Sequence, residues 1–434
     1  MNTLSSYNPT QIKALRDEYR NALLEDVIPF WQRYGQDHEF GGYLTGLNRD
    51  GSVIDTDKSI WFQGRGAWTF ATLFQCVEQR PDWLASAHTG LEFLRQHGRD
   101  ESGKLYFSVT REGKPLRMRR YAYSESFAAI ANASFARALS LHSTSLTGMP
   151  TSSDAADAKL AIDVTTASND AINYFSNYLR IAFGEPLQPP KVDQSTRPTR
   201  GIGPLMIGIS TAQELRANLG DVVVNDRTCT EFIDFAIGQI EQFFLKPQHE
   251  ALMEMVGVNG EIIDHFDGRQ LNPGHAIECA WFILHESKIR GDVNLQRLGL
   301  TILDWMWKRG WDSEHGGIFY FRDLKELPVQ EYWHDMKFWW PHCEAIIATL
   351  LAWTLTGDEK YAKWHRDVHD WSFRHFPDAE YGEWYGYLHR DGSISSQLKG
   401  NMWKGPFHLP RMLLYCWKLL EEHEQVLERG HVQS

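Results

Sequence analysis

Seven residues of chemically useful type recur along this sequence: Arg65, Glu125, His275, Glu278, His342, Glu344 and His408. Trp61, Tyr123, Trp339 and Trp340 accompany them. Imidazole, carboxylate and guanidinium groups beside aromatic platforms suit a polyhydroxylated small molecule. His275 and Glu278 stand at i, i+3, so on a helix the carboxylate can orient the imidazole, and Trp340 and Glu344 stand at i, i+4. Glu125, Glu278 and Glu344 could also supply the acid and base of a glycosidase. Other chemistries find less support. His365 and His369 have the spacing of helical metal ligands, but HRDVHD lacks the HExxH base and reads as a solvated, charged helix face, so no metal is expected. Cys343 adjoins His342, and adjacent side chains diverge on a helix, which makes it a structural thiol. The chain has no P-loop and no GxGxxG following a strand, which argues against a bound redox nucleotide.

The elements that must position these residues repeat. FWQRYGQDHEFGGY, WMWKRGWDSEHGGIFY and WSFRHFPDAEYGEWYGY each end a helix-like stretch with D-x-E-x-G, at Asp37, Asp312 and Asp378, and a weaker copy begins near Asp100. Between these hairpin signals the apolar spacing is helical, as at Phe70, Leu73, Phe74 and Val77. A second series marks helix starts at Arg65, Ser124, Pro204, His275, His342 and His408, 59 to 80 residues apart. Proline near four of them fits a first helical turn, where no amide donor is needed. Six starts predict six helix pairs joined by short hairpins, with an N-terminal helix (9–34) pairing with a C-terminal one (405–425) to close a ring. The expected fold is an all-α (α/α)6 barrel, one domain over 1–434, with polar insertions near 143–157 and 182–203. Inner-helix N-termini converging on one face would favour anionic groups or a developing oxyanion.

Composition sets the outer limits. With 42% hydrophobic, 13% aromatic and 23% charged residues among 434, the chain can bury a large core. Its net charge of −12 lacks the basic excess of a nucleic-acid binder, and no apolar run is long enough to span a membrane. The start MNTLSSYNPT has no charged region followed by an apolar stretch, so a cytoplasmic protein is expected. Five cysteines without a CxxC pair read as reduced core thiols.

At WFQGRGAW (61–68), GKPLRMRRYAYSESF (113–127), NPGHAIECAWFIL (272–284), WWPHCEA (339–345), EYGEWYGYLHRDG (380–392) and KGPFHLPR (404–411), the sequence resembles the N-acylglucosamine 2-epimerase family, also described as renin-binding proteins. The resemblance implies an (α/α)6 barrel that interconverts N-acetylglucosamine and N-acetylmannosamine by inverting C2. It puts the catalytic pair on His275 and His408, with Arg65 and Glu344 as essential partners; the helix-start positions themselves suggest substrate contacts at Glu278, Tyr123, Glu125, Trp340 and His342. It also implies a homodimer and no cofactor for the chemistry. ATP acts as an allosteric activator in many members, and the loop 182–203 with Lys191, Arg197 and Arg200 is the candidate for it. Two histidines that exchange acid and base roles suit proton removal on one face of C2 and return on the other. Related enzymes on this barrel act on unsubstituted sugars (glucose and mannose, mannose and fructose, cellobiose), so those substrates stay open. So do a glycosidase and a non-catalytic interaction protein.

Overall fold

The computed structural model describes residues 7–119, 122–146, 154–184 and 192–432. Its helices are α1 (Pro9–Asn21), α2 (Ile28–Tyr34), α3 (Ile60–Cys76), α4 (Pro81–His97), α5 (Tyr123–Leu146), α6 (Asp154–Phe183), α7 (Gly203–Leu219), α8 (Cys229–Gln239), α9 (Phe266–Arg269), α10 (Pro273–Arg290), α11 (Val293–Gly310), α12 (Trp339–Thr356), α13 (Glu359–His375) and α14 (His408–Val432). A π-helical segment, Ala22–Val27, joins α1 to α2. Local signals set the boundaries. Capping boxes Asn8/Gln11 and Thr228/Glu231 start α1 and α8, and Gly291 and Gly357 end α10 and α12 in the left-handed region.

Six helices form the inner ring in the order α3, α5, α7, α10, α12, α14, each packed on the next. The segment before α14 closes it, through the Thr69 hydroxyl donating to the Pro406 carbonyl at 2.6 Å and Phe407 packed edge-on to Trp68. Burial separates the layers. Every α12 residue from 339 to 353 is buried, as an inner helix apolar all round must be, whereas outer α13 buries one stripe from Tyr361 to Ser372. The N-terminal helix packs on α14 as the ring closure predicts. The (α/α)6 toroid expected from the repeat is therefore the observed fold.

Four of the small sheets follow one rule. The residues before an inner helix pair with the hairpin that follows its outer partner: Lys58–Ser59 with Ser108–Val109, Thr199–Gly201 with Met255–Gly257, Gln270–Leu271 with Arg322–Asp323, and Lys337–Phe338 with Tyr387–Leu388. A bridge between Leu47 and Gly400 does the same for α14. The three strong repeat aspartates lock these joints. Asp37 holds Lys58 and Arg111, Asp312 holds Lys337 and Arg390, and Asp378 holds Lys399 and Arg49.

The structure bears on five of the expectations. Residues 143–146 continue α5 and 154–157 begin α6, so the described ends of that insertion are helical; 147–153 lie outside the described residues. In the second insertion Thr199–Gly201 is a strand. His365 and His369 are buried, not solvated: the Tyr19 hydroxyl bonds both at 2.9 Å and the Tyr7 hydroxyl bonds His365 at 2.5 Å. They lie on the α13 stripe that faces α1. Cys76 is exposed, while the other four thiols are buried. Of the expected helix-start prolines, Pro204 and Pro273 occupy the first helical turn positions, whereas Pro406 precedes its helix.

Candidate active site

The inner-helix N-termini open onto a cavity of about 680 Å³, the size of a small-molecule pocket. His275, third residue of α10, reaches it because Asn272 caps the helix by accepting from the His275 backbone N–H. Its Nδ1 lies 3.1 Å from both Glu254 oxygens. His408, first residue of α14, places Nδ1 2.7 Å from Glu344 Oε1. The Trp340 ring stands next to both, 5.0 Å from the His275 ring and 5.9 Å from that of His408. A carboxylate at each Nδ1 makes that nitrogen the proton donor and leaves Nε2 as the variable position.

The two dyads differ in what else the carboxylate holds. Glu344 is fully buried and also accepts from Arg411 Nη2 and Trp281 Nε1, each at 2.7 Å. Glu254 has His275 as its only side-chain hydrogen-bond partner among the described residues. Burial works against a charge on His275, but Glu254, helped by Glu278 and Glu344, outweighs it and raises the imidazole above its ordinary value. His408 goes the other way: burial, then the cations of Arg65 and Arg411, push it well below. The resting site thus favours a protonated His275 beside a neutral His408.

Arg65 lies against the rings of Phe127, Phe407 and Trp61 and donates to the Trp403 carbonyl at 3.3 Å. It has no carboxylate within ion-pair distance among the described residues, and its Nε is unpartnered. Burial and Arg411 press against its charge, yet a guanidinium keeps its proton at neutral pH. Glu278, Glu344 and His408 together have the donor types of a metal site. Arg411 Nη2 already bonds both carboxylates at 2.7 Å, so a cation occupies that position as part of the protein.

Of the expected site residues, Arg65, Tyr123, His275, Glu278, Trp340 and His408 line the cavity, and Glu344 stands behind His408. Glu125 and His342 do not. Each turns from the inner helix toward a hairpin: Glu125 Oε1 accepts from the Leu105 N–H at 2.9 Å, and His342 Nε2 from the Ile318 N–H at 2.9 Å. Gln63 does the same for Tyr43 at 2.7 Å, so these three are equivalent structural bolts of the repeat. The partner expected for His275 is also corrected. Glu278 pairs with Arg411 at 2.7 Å, and the carboxylate on His275 is Glu254. Sequence reasoning missed Glu254, Arg411 and Trp281. Only Arg411 carried a signal, its i, i+3 spacing from His408. For the activator loop, Arg200 packs over Phe243 and Arg197 is exposed, while Lys191 lies outside the described residues.

Residues 41–158 and 217–408 match the N-acylglucosamine 2-epimerase (GlcNAc 2-epimerase) family. The chain is 34% identical over 417 residues to the N-acylglucosamine 2-epimerase of Bos taurus, covering 94% of this chain and 92% of that one. It is 33% identical over 404 residues to that of Homo sapiens, covering 92% and 88%. Its backbone superposes on the structure of cellobiose 2-epimerase from Bacillus thermoamylovorans B4167 with a TM-score of 0.76 at 20% identity, covering 94% and 99%. With a ring of paired helices, a cavity at the inner N-termini and similarity along almost its whole length, the chain belongs to the N-acylglucosamine 2-epimerase family of carbohydrate epimerases.

Proposed function

We propose that the protein interconverts N-acetyl-D-glucosamine and N-acetyl-D-mannosamine by removing and returning the proton on C2 of the open-chain sugar. The observation that carries this reading is the pair His275 and His408 beside Trp340, each with Nδ1 tied to a carboxylate and Nε2 left for substrate. The C2 hydrogen becomes acidic once the ring opens to the aldehyde, because the electron pair of the broken C–H bond moves onto O1 as an enolate. Neutral His408 takes that proton on one face. Protonated His275 then delivers one on the other, the enolate collapses to the aldehyde, and the configuration inverts. The reverse reaction uses the opposite protonation states. Arg65 and the helix N-termini supply the positive potential that the enolate oxygen requires.

Electrons balance within the substrate, so the step calls for no redox cofactor. ATP activation, a homodimer and a cytoplasmic location belong to the same reading. Against a glycosidase stands the state of the carboxylates: Glu278 and Glu344 share Arg411, and Glu125 faces a hairpin. A pure binding role leaves the two oppositely biased histidine–glutamate pairs without a purpose. Epimerisation of N-acetylmannosamine in D2O tests the reading. Early product should carry deuterium at C2, and product that retains its original hydrogen there refutes the two-base path.

A further inference from the structure

The charged groups of the cavity are unevenly distributed around the ring. Arg65 comes from α3, Glu254 from the hairpin paired with Thr199–Gly201 at the mouth of α7, His275 and Glu278 from α10, and His408 and Arg411 from α14, with Glu344 of α12 behind them. Neighbouring α5 and α7 lie across the ring from α12 and α14 and contribute no charged side chain to the lining. The α7 stripe facing the cavity is Gly203, Met206, Ile207 and Ser210, at i, i+3, i+4 and i+7, and α5 adds Phe127 and Ile130. Two hydroxyls at the junction of these helices, Ser126 and Thr211, are bonded to each other at 2.7 Å. Ile130 and Ser210 each stand seven positions into their helices, about 10 Å below the rim at 1.5 Å per residue. The arc is uncharged and deep.

We infer that this uncharged arc receives the N-acyl group of a 2-acylamido sugar, and that Met206, Ile207 and Ile130 set the length of acyl chain accepted; the inference rests on the C2-epimerase reading above. An open-chain sugar sorts itself by polarity. Its hydroxyls find partners on α3, α10 and α14, whereas the alkyl end of an acyl group would strip water from charges there and return nothing. The acyl group leaves from the nitrogen on C2, the carbon that must lie within reach of both histidines. Since α7 is the ring neighbour of α10, the arc begins beside His275. Met206, unbranched and flexible, can yield to a longer chain.

The test follows initial rates for N-acetyl-, N-propanoyl- and N-butanoylmannosamine by NMR. Each buried methylene is worth about fourfold in binding, so wild-type kcat/KM should hold or rise along the series. Met206→Trp fills the arc and should lose at least about tenfold more for the butanoyl than for the acetyl sugar. Should that variant misfold, Ser210→Leu narrows the same arc, and the wild-type series decides on its own. A wild-type loss beyond about tenfold at the propanoyl sugar, with rapid acetyl turnover, overturns the acyl pocket alone. Equal depression of all three sugars in a folded Met206→Trp also overturns it. Turnover of mannose with none of the three amides instead defeats the substrate reading and this inference with it.

Discussion

Replacing His408 with Asn should lower turnover by roughly 10²–10⁴-fold with the fold intact, because a folded protein would then lack one proton-transfer group. Wild-type rates from that variant would remove His408 from the chemistry. Glu254 invites a finer test. It holds His275 in one tautomer and favours its cation. In Glu254→Gln the imidazole should titrate lower, so the alkaline limb of the pH–rate profile should move to lower pH while Glu254→Asp largely retains it. Imidazole NMR reads the same shift without substrate, and an unchanged His275 titration would show that Glu254 only fills space. The sequence marked His275, His408 and Arg65 because helix starts can be read from spacing and proline. Glu254 had no such mark, since it stands beside a two-residue strand, Ala251–Leu252, and reaches His275 only through the sheet that joins Thr199–Gly201 to Met255–Gly257.

The first turn of an inner helix serves two masters, and this explains why Glu125 and His342 were readable as site residues although they are not. One face of the turn meets the cavity, and the other bolts the preceding hairpin through its backbone N–H. A sequence reveals where the turn begins, but choosing between its faces requires the hairpin in place. The bolt need only be an acceptor, which Gln63, Glu125 and His342 all provide. Glu125 is the costly choice. Burial pushes its carboxyl up to about 7 against 4.5, and its second oxygen has no partner. Between those values the folded state binds more protons than the unfolded one, so Glu125 erodes stability as pH rises through about 4.5 to 7. Gln63 shows the remedy: its Nε2 donates to the Tyr43 carbonyl at 3.0 Å. Glu125→Gln should therefore stabilise the protein at pH 8 by about 1–3 kcal/mol and change little at pH 4. Thermal unfolding at the two pH values checks this, and equal midpoints for both proteins at pH 8 would refute it.

Ring closure is where the chain must bring its two ends together, and the sequence disclosed that joint as a repeat before it could disclose its chemistry. Asp37, Asp312 and Asp378 were visible as equivalent positions; that each would hold a buried lysine and an arginine from a neighbouring hairpin was not, because those partners are 21 to 329 residues away. At the closing joint, Arg49 from the first hairpin meets Asp378 at 2.8 Å, and Lys399, wholly buried, meets it at 3.0 Å. Asp378→Asn would leave the Lys399 ammonium buried among neutral acceptors, the carbonyls of Gly382 and Glu383 included, without an ion-pair partner among the described residues, and should cost about 3–5 kcal/mol. Removing the stranded charge as well, in Asp378→Asn with Lys399→Met, should recover part of that loss, since a buried ion pair owes much of its apparent strength to the penalty for breaking it. The pH dependence has a definite sign. The cations hold the Asp378 carboxyl well below its ordinary value, so its contribution is complete above about pH 4 and fades as pH falls further. Denaturant midpoints at pH 7 for the single and double variants decide the matter: an unshifted midpoint for Asp378→Asn would mean that the ring is closed by helix packing alone.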